Sequence, residues 1–462
     1  MVILNLLVKP VWVLMEMEIQ DQVGHEAWGL YGALLSLGYL LLTFADLGIN
    51  QYSTKTLASN PSLLQTYFPV LFSAKLLLTL LYPFMMILVG WVLGYREEAL
   101  YLLFLLCLVQ GGNQLAQFFR ANFQALQQFR IDAWLSVAER IILIGFVIGL
   151  FYTGLTLEGF VMARILAVVL TIILFSVLLA RHHGVFKPRW ELERIKEVVG
   201  LSLSFALMTI LYSVHDKIDQ VMVERLAGSV ENGLYAGAYR WLEAFSMYLW
   251  IVLPIFFAKF AYHLKDLKEQ ERLLSFGQKI TAIPLMFVSA FVFFYGEKLL
   301  FLFDDSSPEQ IQVMTTCLSI LFLTVFVNSL FSIFSTLLTS TGYVKQVNVI
   351  IIAGIALNIV ANAIYIPEYG AIASAWTTLV SYLAMNISYL IFLQLRTEIS
   401  LPYRQMAVLS VLGGIGIGAF YGMGQLDFPW WLVTILSGLV YLLATWLLKL
   451  IRPDDLKALR TS

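Results

Sequence analysis

The sequence predicts an all-α polytopic membrane protein with about fourteen transmembrane helices, in two pseudo-symmetric six-helix bundles plus two extra C-terminal helices. Composition is the first reason: 60% of the 462 residues are hydrophobic and 13% are charged, whereas about 25% is typical of soluble domains. The second is the distribution of Lys and Arg, and the third is an internal repeat. So much apolar surface requires lipid as the solvent.

Long apolar segments follow one another along the whole chain. A helix needs about 20 apolar residues to cross the hydrocarbon core of a bilayer. The first segment is the weakest, because Lys9, Glu16 and Glu18 interrupt it. The connections are short except for 181–197 and 259–275. In chain order the predicted spans are residues 1–19, 29–50, 64–93, 99–121, 131–152, 159–180, 198–217, 234–258, 276–303, 311–338, 346–366, 370–395, 405–424 and 430–450.

Lys and Arg test this map independently, because cytoplasmic connections are enriched in them. With the amino terminus in the cytoplasm, 20 of the 29 lie in cytoplasmic connections or in the tail. Only Arg96, Arg225 and Lys298 lie in outer connections. One miscounted helix would move every later loop to the other side. We therefore predict fourteen spans with both termini in the cytoplasm. The net charge of −1 argues against a nucleic-acid partner.

A short motif occurs twice, each time just before a long apolar segment. Residues 24–31 (GHEAWGLY) return as residues 228–235 (GSVENGLY), and residues 158–163 at the start of the sixth span are matched by 369–374 at the start of the twelfth. A repeat of nearly half a membrane chain is typical of a two-lobed carrier, in which the substrate path lies between the halves. Since six helices is an even number, both halves keep the same orientation.

The repeat also predicts the domain organisation. We assign residues 1–180 to an N-terminal six-helix bundle and 181–197 to a cytoplasmic inter-lobe loop. Residues 198–396 form the C-terminal six-helix bundle, and 397–462 hold two additional helices and a cytoplasmic tail.

Three further features are interpreted as structural. Cys107 and Cys317 lie within apolar segments and are expected to be small buried hydrophobes. Gly414, Gly418 and Gly422 share one helix face, which favours close helix packing. The polar segment 215–219 is expected to be a hydrated outer end of helix seven, although its histidine could also sense protons.

Several loose motifs, in this order and spacing, resemble the bacterial polysaccharide flippases. These O-antigen and capsule repeat-unit translocases belong to the superfamily of MATE-like multidrug, oligosaccharidyl-lipid and polysaccharide exporters. The resemblance covers nearly the whole chain. The residues that carry it are the two GxxxxGLY copies, residues 45–48 (ADLG), Asp219, residues 239–243 (YRWLE), Asn358 and residues 369–371 (YGA).

The resemblance implies a MATE-like fold with a central cavity, alternating access and an undecaprenyl-pyrophosphate-linked oligosaccharide as the substrate. It implies a bacterial inner-membrane location in surface polysaccharide biosynthesis, with a polysaccharide polymerase and glycosyltransferases as partners. A drug/cation antiporter of the same superfamily is the alternative function, and a non-transporting scaffold of glycan assembly is a third. The loops are too short for a glycosyltransferase domain, which argues against an enzyme.

Charged residues inside spans are candidate cavity residues, because a lipid-facing charge at mid-bilayer costs at least a few kcal/mol. Arg240 lies about 10 Å into helix eight, at 1.5 Å per residue. Its guanidinium suits bidentate binding of pyrophosphate, and the resemblance supports this role. A structural ion pair with Glu243, three residues later, is the alternative.

Arg140, Arg164 and Lys75 are further candidates for the substrate cavity, and contact with a neighbouring helix is the alternative for Arg140. Asp46 and Glu243 are candidates for ion coupling. For Asp46, a helix-end cap or a salt bridge to Lys55 is equally consistent with the sequence. We expect no cofactor, because neither metal-ligand spacing nor a phosphate-binding loop is present. Any energy is then expected to come from a proton or sodium gradient.

Overall fold

The computed structural model consists of α-helices joined by short connections. It describes residues 2–50, 53, 64–126, 128–184, 187–264, 266–303 and 306–450. Within these residues the helices are α1 (Val2–Val23), α2 (His25–Leu41), α3 (Leu64–Val92), α4 (Glu97–Ala125), α5 (Phe129–Thr153), α6 (Leu157–His183), α7 (Leu192–Ala227), α8 (Ser229–Tyr262), α9 (Leu267–Tyr295), α10 (Pro308–Ser340), α11 and α12 (together Val344–Arg396), α13 (Tyr403–Gly424) and α14 (Trp430–Leu447).

Each predicted span has its own helix, so the all-α membrane fold is confirmed. The segment Val344–Arg396 is two helices, because Gly370 interrupts it with φ 56° and ψ −138°; α11 precedes this corner and α12 follows it. Ten helical segments of the described chain are long and apolar enough to cross a membrane, with this pair counted once. Large side chains such as Phe84 and Trp446 are at least 70% exposed, as expected where lipid covers the surface.

Several helices continue beyond their apolar spans. The expected long connection 259–275 shortens to 263–266, because α8 and α9 extend from both sides. Helix α7 runs to Ala227, so His215 and Asp219 lie inside the helix and are buried. The expectation of a hydrated helix end at 215–219 was therefore wrong. Hydropathy detects only the membrane-embedded part of a helix, and it misses the polar turns that extend from it.

The chain divides by its internal contacts into two compact units, Met1–Gly233 and Leu234–Ser462. Aromatic side chains from α3, α4 and α6 build one core of the first unit, where Phe68, Phe118 and Phe175 are almost fully buried. In the second unit, α9 and α10 pack with α13 and α14 around Met286 and Tyr441. The bundle boundaries predicted from the repeat are not tested by this division and stay a prediction.

The glycine-rich helix α13 packs through a face different from the predicted one. A methyl group added at Gly414, Gly418 or Gly422 would meet no other helix of the described chain within 4 Å, so the prediction of close packing there was wrong. A methyl at Gly413 would lie 2.7 Å from Met286, and one at Gly416 would lie 3.1 Å from Tyr441. A run with many glycines supports more than one helix-face pattern, and only the neighbouring helices decide which face is used.

Candidate functional site

A break in the second membrane helix positions Asp46. Helix α2 ends at Leu41, a 3₁₀ turn covers Leu42–Ala45, and helical structure resumes at Ile49. Between them Leu47 and Gly48 have φ values of 46° and 80°. Irregular backbone at membrane depth is tolerated only where protein buries it or where it lines a cavity. Discontinuous helices of this kind hold coupling ions in many carriers.

Asp46 is ion-paired with Lys75 of α3 by a short hydrogen bond. Lys75 is completely buried and Asp46 is 8% exposed. Lys75 Nζ also donates to Gln114 Oε1 at 3.2 Å, and the backbone N of Asn50 donates to Asp46 Oδ1 at 3.3 Å. Two predicted site residues are thus neighbours in one network. Lys55, the alternative partner of Asp46, lies outside the described residues.

Arg164 of α6 lies beneath the first copy of the repeated motif. Its Nη1 donates a short hydrogen bond to the hydroxyl of Tyr31, the last residue of that copy. Arg164 is 9% exposed, and its Nε has no hydrogen-bond partner among the described residues. The ring of Tyr31 packs with those of Trp28 and Phe160, and the centroids of the three rings are 4.7–5.9 Å apart. A buried guanidinium with an unused donor is a candidate ligand for a polar group.

Carboxylates balance the charge of Arg164. Glu139 of α5 and Glu16 of α1 both interact with it electrostatically, and the Asn113 side chain is hydrogen-bonded to Glu139. On a regular helix Arg140 points about 100° away from Glu139. The role of Arg140 in the cavity stays a prediction. The carboxylates of Glu139 and Glu16 offset the positive charge of Arg164 and would repel an anion. The surroundings of Arg164 therefore suit an uncharged, hydroxyl-rich group better than a free dianion.

In the second unit, the two predicted site residues lie on α8. Arg240 is 8% exposed and Glu243 is partly buried. Immediately before Arg240 on the same helix, the rings of Tyr235 and Tyr239 pack with their centroids 5.5 Å apart. The role of Arg240 as a phosphate ligand and its alternative, an ion pair with Glu243, both stay predictions.

A buried polar network between α11 and α12 was missed by the sequence argument. Asn362 Nδ2 donates to Asn358 Oδ1 at 3.1 Å, and Thr377 donates a short hydrogen bond to Asn362 Oδ1. Tyr235, which ends the second copy of the motif, places its hydroxyl 3.5 Å from Thr378 Oγ1. Two asparagines one helical turn apart in an apolar span were the available signal, because polar residues inside membranes are expensive.

Near the start of α4, Tyr95 joins the connection after α3 to the end of α7. Its hydroxyl donates to Glu224 Oε2 at 2.6 Å, and the Arg225 guanidinium lies 4.6 Å from the ring centroid. Burial is the main cause that raises the pKa of Tyr95 well above its ordinary value, and the bond to Glu224 adds to it. This cluster fixes the connection to α7.

A family model described as polysaccharide biosynthesis protein matches residues 19–260. An uncharacterized membrane protein of Methanocaldococcus jannaschii is 22% identical over 392 residues, which cover 79% of this chain and 89% of that protein.

Two solved structures share the fold. The lipid II flippase MurJ in an inward closed conformation gives a TM-score of 0.68 at 15% identity, covering 96% of this chain and 98% of MurJ. A multidrug resistance MATE family transporter in an inward-facing conformation gives 0.66 at 14% identity, covering 86% of this chain and 94% of that one.

Proposed function

Because the chain belongs to the polysaccharide biosynthesis protein family, we propose that it is a flippase for a lipid-linked oligosaccharide. The substrate is an oligosaccharide repeat unit on undecaprenyl pyrophosphate. It moves from the cytoplasmic to the outer leaflet of a bacterial inner membrane, for assembly of surface polysaccharide such as O-antigen or capsule. The movement uses alternating access driven by a proton or sodium gradient.

Cations buried within apolar spans carry this proposal. Lys75, Arg164 and Arg240 are each at most 9% exposed and lie in predominantly apolar helices. Such residues are functional by default, because burying an ionised group inside a membrane protein is costly. We assign the pyrophosphate to Arg240, whose planar guanidinium can bind two phosphate oxygens at once. The balanced surroundings of Arg164 and Tyr31 suit the sugar part of the substrate.

The Asp46–Lys75 pair is the proposed coupling element, and Glu243 is the corresponding candidate on α8. A proton or a sodium ion that binds Asp46 removes the charge that holds Lys75. Since Asp46 lies at the break that follows α2, the loss of its ion pair can change how the chain on either side of the break packs. Ion binding is then linked to helix movement through one ion pair.

The experiment measures where the lipid-linked oligosaccharide accumulates. A strain that lacks the gene is expected to retain this intermediate on the inner leaflet and to lose surface polysaccharide. Arg240→Ala is expected to lower export by about 30-fold or more, because truncating a buried, paired charge costs about 2–5 kcal/mol. Arg181→Ala is the matched control, because Arg181 is exposed at the end of α6. Normal surface polysaccharide in the deletion strain would contradict the proposal.

The same strains test coupling and the alternative function. Asp46→Asn is expected to stop export while leaving substrate binding intact, and collapsing either the proton or the sodium gradient identifies the ion. Increased drug sensitivity of the deletion strain, with intact surface glycan, would replace the flippase with a drug/cation antiporter. If Arg140, Arg164 and Arg240 were all replaceable, the scaffold hypothesis would be favoured.

A further inference from the structure

The first glycine of each motif copy forms a one-residue corner. Gly24 joins α1 to α2, and Gly228 joins α7 to α8. Their φ values are 85° and 97° with ψ values of 156° and 167°, a region that is open to glycine but not to other residues. Apart from the adjoining residues, no heavy atom of the described chain lies within 4 Å of the place where a side chain would begin at either corner. The two copies therefore have the same backbone shape and the same open surroundings.

The second glycine of each copy lies against the backbone of the other copy. A methyl group at Gly29 would lie 1.7 Å from the carbonyl oxygen of Ser229, and one at Gly233 would lie 2.0 Å from the carbonyl oxygen of His25. All of these residues belong to the first compact unit. Only glycine permits this approach, because any Cβ would overlap a backbone atom that cannot rotate away.

Two buried amide side chains complete the contact reciprocally. Asn232 Nδ2 donates to the carbonyl oxygen of Gly29 at 2.6 Å, and Gln20 Nε2 donates to that of Gly233 at 2.8 Å. Both donors are completely buried. The helix pair α1–α2 and the helix pair α7–α8 are each a hairpin. Each glycine thus accepts a hydrogen bond from a side chain of the other hairpin. Neither Gln20 nor Asn232 was predicted from the sequence as a functional residue.

We propose that Gln20, Gly29, Asn232 and Gly233 form an outer latch, which is closed in this structure and opens once in each transport cycle. The latch consists of backbone contact and two hydrogen bonds, which can break and re-form without repacking large side chains. A glycine corner with open space lies beside each half, so each hairpin tip can reorient locally. The link to a transport cycle rests on the proposed function, whereas the latch itself rests on these contacts.

The test measures access to the contact in the purified full-length protein in lipid nanodiscs. Cys107 and Cys317 are buried, so Asn232→Cys supplies the reactive thiol for a membrane-impermeant maleimide. In this background Gly29→Ala is expected to raise the labelling rate by about tenfold or more, because the added methyl disfavours the closed state. Gly145→Ala is the matched control: it adds the same methyl in open space on α5 and is expected to leave the rate unchanged.

A second variant covers the case in which Gly29→Ala does not fold. Gln20→Ala adds no volume and removes the latch hydrogen bond that remains in the Asn232→Cys background, so it is expected to raise labelling by about fivefold, the effect of one ordinary hydrogen bond. Equal labelling rates in Gly29→Ala, Gln20→Ala and Gly145→Ala would overturn the latch, since the contact would then be permanent.

Labelling is measured without substrate, so the two proposals fail separately. If the deletion strain makes normal surface glycan while labelling changes as expected, the flippase proposal fails and the latch stands. If deletion abolishes surface glycan while labelling is the same in all three variants, the latch fails and the flippase proposal stands.

Discussion

Replacing Asp46 by Asn leaves the ammonium of Lys75 buried without its counter-charge. Two unit charges about 4 Å apart attract by about 4 kcal/mol at an effective dielectric constant of about 20. Removing one partner of a buried ion pair costs about 3–5 kcal/mol in measured cases. The remaining bond from Lys75 to Gln114 Oε1 at 3.2 Å offsets a small part of this loss. We expect Asp46→Asn to lower the free energy of unfolding by about 3 kcal/mol.

The assay is a double-mutant cycle on purified protein, with the free energy of unfolding measured by denaturant titration. Lys75→Met removes the charge and keeps most of the side-chain volume, so the double variant Asp46→Asn/Lys75→Met contains neither buried charge. Because each single change removes the same interaction, the double variant is expected to be at least about 1.5 kcal/mol more stable than the sum of the two predicts. Additive losses would refute the reasoning, since the two groups would then not act as a pair.

Three further predictions concern contacts elsewhere in the chain. Gly416→Leu is expected to destabilise the packing of α13 on Tyr441 by about 1–3 kcal/mol, whereas Gly414→Leu, which faces open space, is expected to be neutral; thermal unfolding of both variants checks this. Tyr95→Phe is expected to cost about 1–3 kcal/mol, because it removes the short hydrogen bond to Oε2 of the buried Glu224 and leaves only the longer one from Ser229 to Oε1. The raised pKa keeps Tyr95 protonated in the folded protein at pH values above about 10, where it ionises in the unfolded chain. The free energy of unfolding of the unaltered protein is therefore expected to fall as the pH rises above about 10. In a pH series, Tyr95→Phe is expected to lose this part of the pH dependence. Gln405→Leu removes donors to Ser275 O at 2.7 Å and Gln278 Oε1 at 3.0 Å, and increased protease cleavage at the start of α13 is expected; an unchanged digest would mean that the apolar contacts alone hold α13.

The sequence was sufficient for the helix map and the family. Apolar segment length predicts the existence of each helix, and the resemblance to polysaccharide flippases is confirmed by the family match over residues 19–260. The ends of the helices were harder to predict, as α7 illustrates: its polar turns continue to Ala227 although its apolar span ends near residue 217. Hydropathy reports only the local composition of the chain, and local composition does not decide where a helix ends.

Contacts between side chains that are distant in the sequence cannot be predicted from a pattern of single residues. Asp46 and Lys75 were both singled out as charges in lipid, but their partnership depends on the break in α2, which no composition signal announced. The duplicated motif predicted where α2 and α8 begin, and the structure has both starting within one residue of the first glycine. The second repeated pair behaves differently. Gly370 is a corner, whereas Gly159 lies in the first turn of α6 after its Thr156 cap.

One-residue corners also limit what the predicted outer face offers to other molecules. The turns at Gly24, Gly228 and Gly370 leave no loop between the helices that they join. Proteases require several residues of extended chain, and antibodies and the receptor-binding proteins of phages bind best to protruding segments. These three corners supply neither. A tag inserted at any of these corners would separate two helices that meet at a single residue. The connections at 187–191 and 397–402 are longer, so we expect an insertion there to leave the adjoining helices in place.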